Sequence, residues 1–242
     1  MIRSKKIYLY ILFLFVIFMV RWWFLNRDMF PVTDKGGIEG ILSDIASSYN
    51  GYNDMYIHAS AYTLFFLLLL NLSLPEWEIQ VLVRMPKVRY IGGQFVKIVL
   101  ASAAFTAVFL SVAVICTTFT AGAGALGEWG YYRALIPMFT LTFMYYLMMG
   151  AIFMFLYVAL GTKTKAVFAS YAVSVIMLGI HIFHKSLWIP VYRLDVVDKM
   201  LDGQFRMAET VLDVVKLSGI CLFLCFFATY IFKGKDILGE NG

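Results

Sequence analysis

His181 and His184 stand one helical turn apart, and Asp195 and Asp198 follow in the next polar segment. Two imidazoles with a carboxylate form the donor set of a zinc-type site, or of a membrane enzyme such as a transferase working at the outer face. Polar residues lying at a membrane interface are the plainer reading of the same pattern. Cys221 and Cys225 share one helix face, but no His or acid joins them. With Cys116 they read as small buried apolar side chains rather than a metal site or a disulfide framework. No GxxxxGK[ST] phosphate loop occurs, since neither "GGIEGILSD" nor "KGKDILGE" fits, and there is no H-E-x-x-H. The chain is therefore expected to carry no catalytic residues, no metal and no cofactor of its own.

The elements that would position these residues are set by composition. Of 242 residues, 62% are hydrophobic and 14% charged, whereas a soluble domain is about half apolar and about a quarter charged. The chain belongs in a bilayer, as one domain over residues 1–242. Its formal charge of +5 does not point to nucleic acid, because the basic residues sit at the ends of apolar runs. Ile7–Leu25, behind Arg3, Lys5 and Lys6, is longer than a signal core and has no small-x-small site after it, so it reads as a retained span.

A helix needs about 20 apolar residues to cross about 30 Å of hydrocarbon. Six runs qualify: Ile7–Leu25, Ile57–Leu74, Phe95–Thr117, Leu135–Leu160, Ala166–Phe183 and Val211–Phe232. Each must be helical, since a lone span in lipid pairs its backbone groups no other way. The expected fold is an all-α bundle of six transmembrane helices. With the N-terminus inside, the inner segments hold ten basic residues in 41 positions and the outer ones seven in 75, which predicts both termini cytoplasmic. The Arg21-Trp22-Trp23 cluster would then mark the outer interface of the first span. Ile38, Ile41, Leu42 and Ile45 suggest a short interfacial helix, "TAGAGALGEWG" a flexible turn, and 184–210 a segment that dips partly into the membrane.

The span middles hold almost no ionisable groups. A charge there costs about 3 kcal/mol or more and usually marks an ion pathway, so an ion-driven carrier or an intramembrane protease is not expected. Ala103, Ala107 and Ser111 line one face of the third span, and Ala166, Ser170 and Ser174 one face of the fifth. Both read as close helix packing within the bundle. In the fourth span Tyr145, Met148 and Met149, among other methionines and tyrosines, would suit a pathway for amphipathic cargo; core packing is the alternative.

The segment Pro75–Lys97, "PEWEIQVLVRMPKVRYIGGQFVK", is too polar for lipid. Pro75 suits a first helical turn. Glu76, Gln80 and Arg84 make a polar stripe beside Trp77, Val81 and Met85, with Glu78 interrupting the pattern, and Pro86 should end the helix. Lys87, Arg89, Gly92 and Gly93 then read as a basic, flexible lead-in to the third span. Such an inner helix either docks a soluble partner or anchors at anionic headgroups.

"VLVRMPKVRYIGGQFVKIV" resembles the inner loop of ABC-2 type transporter permeases, with Glu76 or Glu78, Pro86, Arg89, Gly93 and Lys97 in the family's order. Gly93 and Lys97 are separated where the family often has them adjacent. "YVALGTKTKAVFASYAV" resembles the family's turn into the fifth span, and the family's N-terminal interfacial helix is reduced to Met1–Lys6. The resemblance implies a bacterial plasma-membrane permease, both termini cytoplasmic, paired with a second permease chain, identical or different. A separate cytosolic ATPase would bind ATP and Mg. Glu76, Trp77, Glu78, Gln80, Arg84, Pro86 and Arg89 would form the coupling helix that receives its force. Small permeases of this kind often export peptides or bacteriocins or confer self-protection. A non-transporting immunity or scaffold protein is the alternative, beside the outer-face enzyme.

Overall fold

The computed structural model describes residues 2–26, 42, 46–48, 51–76, 85–128, 130–184 and 187–234. Among them there are helices and no strands. The helices are α1 Ile2–Asn26, α2 Met55–Ser73, α3 Lys87–Ala121, α4 Ala123–Glu128, α5 Tyr131–Leu160, α6 Lys163–Phe183, a 3-10 turn Pro190–Leu194, α7 Val196–Leu201 and α8 Met207–Gly234. Six of them, α1, α2, α3, α5, α6 and α8, are long and apolar enough to cross a membrane, and each contains or closely matches one of the six runs.

Successive long helices run antiparallel, so the bundle has two unlike ends. Lys5, Lys6, Lys87, Arg89, Lys163, Lys165 and Lys233 gather at one, with Glu76 as the single acid there among the described residues. This is the basic end. The far end carries Asp54, Asp195, Asp198, Asp202, Glu209 and Asp213 with several arginines and lysines.

The core is aromatic. Phe18 of α1 meets Tyr62, Phe105 and Phe109 edge-on, at centroid distances of 5.1, 5.5 and 5.6 Å. Tyr146 of α5 adds a contact to Phe105 at 4.6 Å. Edge-to-face pairs of this kind contribute about 0.5–1.5 kcal/mol beyond the area they bury. Helix α5 is the axis on which the others lean: 61% of its most apolar window is buried, against 17% for α1 and for α8. The outward faces of those two helices, with Leu9, Leu12, Phe13, Leu222 and Phe226 exposed, are apolar as lipid requires. Gly150 lets α5 approach its neighbours: a Cβ there would collide with Ile98 Cγ2 of α3 and touch Leu70 and Phe66 of α2.

Three local expectations change. Helix α3 begins at Lys87 and runs unbroken through Gly92 and Gly93, so the lead-in is a stiff helix rather than a flexible one. Buried Tyr90, Ile91 and Gln94 on its packed side hold those turns where glycine propensity alone would not. The glycine-rich stretch after α3 contains the short helix α4, bounded by Gly122 and Gly130, which take φ of 80° and 78° as few other residues can. Ala107 and Ser111 face outward on α3 instead of into a helix seam, while Ala166, Ser170 and Ser174 of α6 are buried as read. Most of the expected helix around Ile38–Ile45 lies outside the described residues.

Gly150→Leu is expected to destabilise the bundle by about 1–3 kcal/mol, because Ile98 offers no flexible end to move aside. Thermal unfolding of the detergent-solubilised protein against Gly179→Leu, whose added Cβ meets nothing within 4 Å, measures it.

Candidate functional site

At the basic end four elements are fastened together. Lys163, the first residue of α6, donates from Nζ to the Leu74 carbonyl at 2.6 Å and the Asn71 carbonyl at 3.3 Å. A lysine at the last carbonyls of α2 closes groups that a helix end leaves unpaired and suits its dipole. Lys87 of α3 donates to the Lys233 carbonyl of α8 at 3.2 Å, and Tyr90 stacks on Phe232 at 6.1 Å and 14°. The Tyr90 hydroxyl reaches the Glu76 carbonyl at 3.4 Å.

Of the residues expected to couple to a partner, Glu76 is exposed beyond the end of α2. Pro86 is the N-cap of α3, with its carbonyl accepting from Tyr90 N–H at 3.1 Å. Arg89 is exposed one turn on. Trp77, Glu78, Gln80 and Arg84 lie outside the described residues, as does most of the expected coupling helix. Between the end of α2 and the start of α3 lies a cleft of about 340 Å³ lined by Pro75, Met85, Arg89, Tyr90, Gly93, Gln94 and Lys97. Arg89, Gly93 and Lys97 follow one another at four-residue spacing, so they form one ridge of α3.

Toward the far end α2 departs from α-helical geometry: His58–Tyr62 is a π-helical turn, a feature frequent at functional sites. Its irregular carbonyls are met by side chains. Thr63 Oγ1 donates to the His58 carbonyl at 2.6 Å, and Ser174 Oγ of α6 donates to the Ala59 carbonyl at 2.7 Å. Both hydroxyl protons are thereby committed, so the Tyr145 hydroxyl is the donor they share, at 2.9 and 3.1 Å. His58 is wholly buried. Asn53 donates from Nδ2 to the Leu194 carbonyl at 2.8 Å and so presents Oδ1 to His58 Nε2 at 3.0 Å. That makes Nε2 the protonated nitrogen of a neutral ring, and Nδ1 accepts from the Tyr146 hydroxyl at 2.7 Å. This network binds α2, α5, α6 and the segment after α6. Tyr145, Met148 and Met149, expected beside a pathway, are buried in the core around it.

At the far end, Ile189, Val191, Leu194, Val196 and Val197 are buried against the bundle. Trp188 Nε1 donates to Asp213 Oδ1 at 2.7 Å, and Arg193 Nε lies 3.6 Å from the same oxygen. Ser48 donates to Asp198 from both its backbone N, at 2.8 Å, and its hydroxyl. Asp195 pairs with Lys199 at 3.0 Å; burial pushes its carboxyl above the ordinary range, and Lys199 opposes the shift. His184 is exposed at the end of α6, and His181 lies on Tyr192 with centroids 3.4 Å apart. Among the described residues no three His, Cys, Asp or Glu side chains converge as a metal would need.

No family model, curated protein or solved structure matches the chain.

The π-turn network makes Tyr146→Phe more damaging than Tyr145→Phe. The first leaves a buried His58 nitrogen without its donor, at about 1–3 kcal/mol. The second leaves Thr63 and Ser174 with their carbonyls and costs about 0.6 kcal/mol, the mean for interhelical bonds in membranes. Equal unfolding temperatures in detergent would contradict this ordering. For Asp195 the folded state holds its proton more tightly than the unfolded state. Stability therefore falls as pH rises from the ordinary aspartate range through the raised one. Asp195→Asn should flatten that slope in a melting series over pH.

Proposed function

We propose that the chain is the permease subunit of an ATP-driven exporter of the ABC-2 type, moved by a separate ATPase that docks on the 77–84 connector. The observation that carries this reading is the cleft at the basic end. Arg89, Gly93 and Lys97, three of the residues on which the family resemblance rests, form one ridge beside the connector, and Pro86 opens the same helix. By the positive-inside rule this end, where α1 begins and α8 ends, is the cytoplasmic one.

The mechanics favour the same reading. Helix α3 is 35 residues long, about 52 Å at 1.5 Å per residue, and its first two turns precede the apolar run. A continuous helix transmits displacement of its end, whereas a flexible lead-in would absorb it. The sequence holds no phosphate loop with which the chain could drive itself. The interior around Tyr145, Met148 and Met149 is filled, which favours a cargo path at a boundary between two permease chains. Amphipathic peptides suit a path walled by the apolar outer faces of the helices.

Affinity purification from native membranes should bring down an ATP-hydrolysing subunit in fixed ratio, lost on Glu76→Lys with Arg84→Glu. Gly92→Pro, which interrupts α3, should keep the subunit but stop transport while ATP is still hydrolysed. A chain that purifies without any ATPase and still protects cells from a toxin would overturn the reading in favour of an immunity protein.

A further inference from the structure

The face of α8 that turns away from the bundle is not uniformly apolar. Lys216 is exposed on it, five residues and so about 8 Å into the run that begins at Val211. Side chains on a helix lean toward its N-terminus, and α8 begins at the far end, so this lysine reaches toward the headgroups there. Its Nζ stops 5.3 Å from the centroid of the Trp188 ring, a cation–π distance. The ring is held in turn, since Trp188 Nε1 donates to Asp213 Oδ1 at 2.7 Å. Asp213, one turn before Lys216, is occupied by that bond and by Arg193, and among the described residues no carboxylate pairs with Lys216. Below the ammonium a groove of about 580 Å³ opens along α8, lined by Trp188, Lys216, Gly219, Ile220, Phe223 and Leu224. The helix residues recur at i, i+3, i+4, i+7 and i+8, so they share one face. Gly219 makes the hollow: an added Cβ would meet nothing within 4 Å. Leu224 lies 13 residues beyond Val211, about 20 Å. The groove therefore runs from the headgroup level to the middle of a hydrocarbon core about 30 Å thick.

A cation that faces hydrocarbon is costly unless an anion meets it. We propose that this groove holds an anionic phospholipid of the far-end leaflet, with its phosphate against Lys216 and one acyl chain lying over Gly219 beside Ile220 and Phe223. A second copy of the chain is the poorer occupant. A two-fold axis along the membrane normal brings residues of equal depth together. Crossing α8 with its copy at Gly219 would therefore set Lys216 near Lys216 of the other chain inside the apolar layer. A zwitterionic lipid is poorer too, because its own ammonium would stand beside Lys216, and the groove lining offers it no carboxylate. The lysine thus selects the lipid, and the Trp188–Asp213 bond positions the lysine. The inference rests on this groove and not on the transport reading: a chain that docks no ATPase still binds the lipid.

The test places the full-length protein in phosphatidylcholine nanodiscs doped with phosphatidylglycerol or phosphatidylcholine, each carrying the same diazirine acyl chain. After irradiation, peptide mass spectrometry counts the lipid adducts on residues 216–224. Phosphatidylglycerol should label this stretch about five-fold more than phosphatidylcholine, the effect of one lysine beside an anionic lipid. Lys216→Gln should lower phosphatidylglycerol labelling to the phosphatidylcholine level, and Lys216→Arg should keep the excess. Gly219→Leu should remove the excess with Lys216 in place and the unfolding temperature unchanged, since the new side chain meets open space. Equal labelling by the two lipids overturns the anion contact. An excess that survives Lys216→Gln or Gly219→Leu overturns the groove as its source. A dimer in the native mass spectrum that comes apart in Gly219→Leu gives the groove to a second copy and overturns the lipid.

Discussion

Inside hydrocarbon a polar atom has only the protein to pair with, and the arrangement around His58 follows from that. A π-turn shifts its carbonyls off the regular helical ladder, and the His58 carbonyl accepts from the Thr63 N–H instead. In water such a turn is a minor defect. In a bilayer such carbonyls draw hydroxyls to fixed points: Thr63 of α2 itself and Ser174 of α6 reach them, and Tyr145 of α5 meets both hydroxyls. The Tyr146–His58–Asn53–Leu194 chain then ties the same turn to the segment after α6. Register among α2, α5 and α6 is set by these bonds together with close packing such as that of Gly150 against Leu70 and Phe66.

The two ends of the bundle are held differently. The far end is closed by buried aliphatics and by carboxylates each held by a partner: Asp213 by Trp188, Asp195 by Lys199 and Asp198 by Ser48. Among the described residues, the basic end is held by Lys163 and Lys87 on helix-end carbonyls and by the stacked Tyr90–Phe232 pair.

The six spans were legible because hydrocarbon thickness sets a length and composition that few other structures satisfy, and Ala166, Ser170 and Ser174 were legible as a packing face. What escaped depended on partners distant in sequence. Nothing in "HASAY" marks a π-turn, and Ser174, which donates to its Ala59 carbonyl, lies more than a hundred residues away. Gly92-Gly93 reads as loose because glycine lowers helix propensity by about 1 kcal/mol, yet Tyr90 on Phe232 and the buried Ile91 outweigh it. Ala107 and Ser111 have the spacing of a packing face, but spacing does not say which way a face points. Of the candidate site, Pro86, Arg89 and Gly93 stand out in the sequence as the lead-in to the third span and, with Lys97, carry the family resemblance. Lys163 does not stand out, because its role appears only when α2 ends beside it.

The spans differ in reach. Helix α3 has 35 residues, but α2, between the same two ends, has 19, or about 28 Å. The short helix just matches an average hydrocarbon core, and it is pinned at one end by the Lys163 clamp and at the other by the His58 network. It cannot lengthen or slide. A thicker, sterol-like or long-chain bilayer would have to dimple around α2 while α3 went on protruding. The chain should therefore work best in thin membranes and partition away from thick ones.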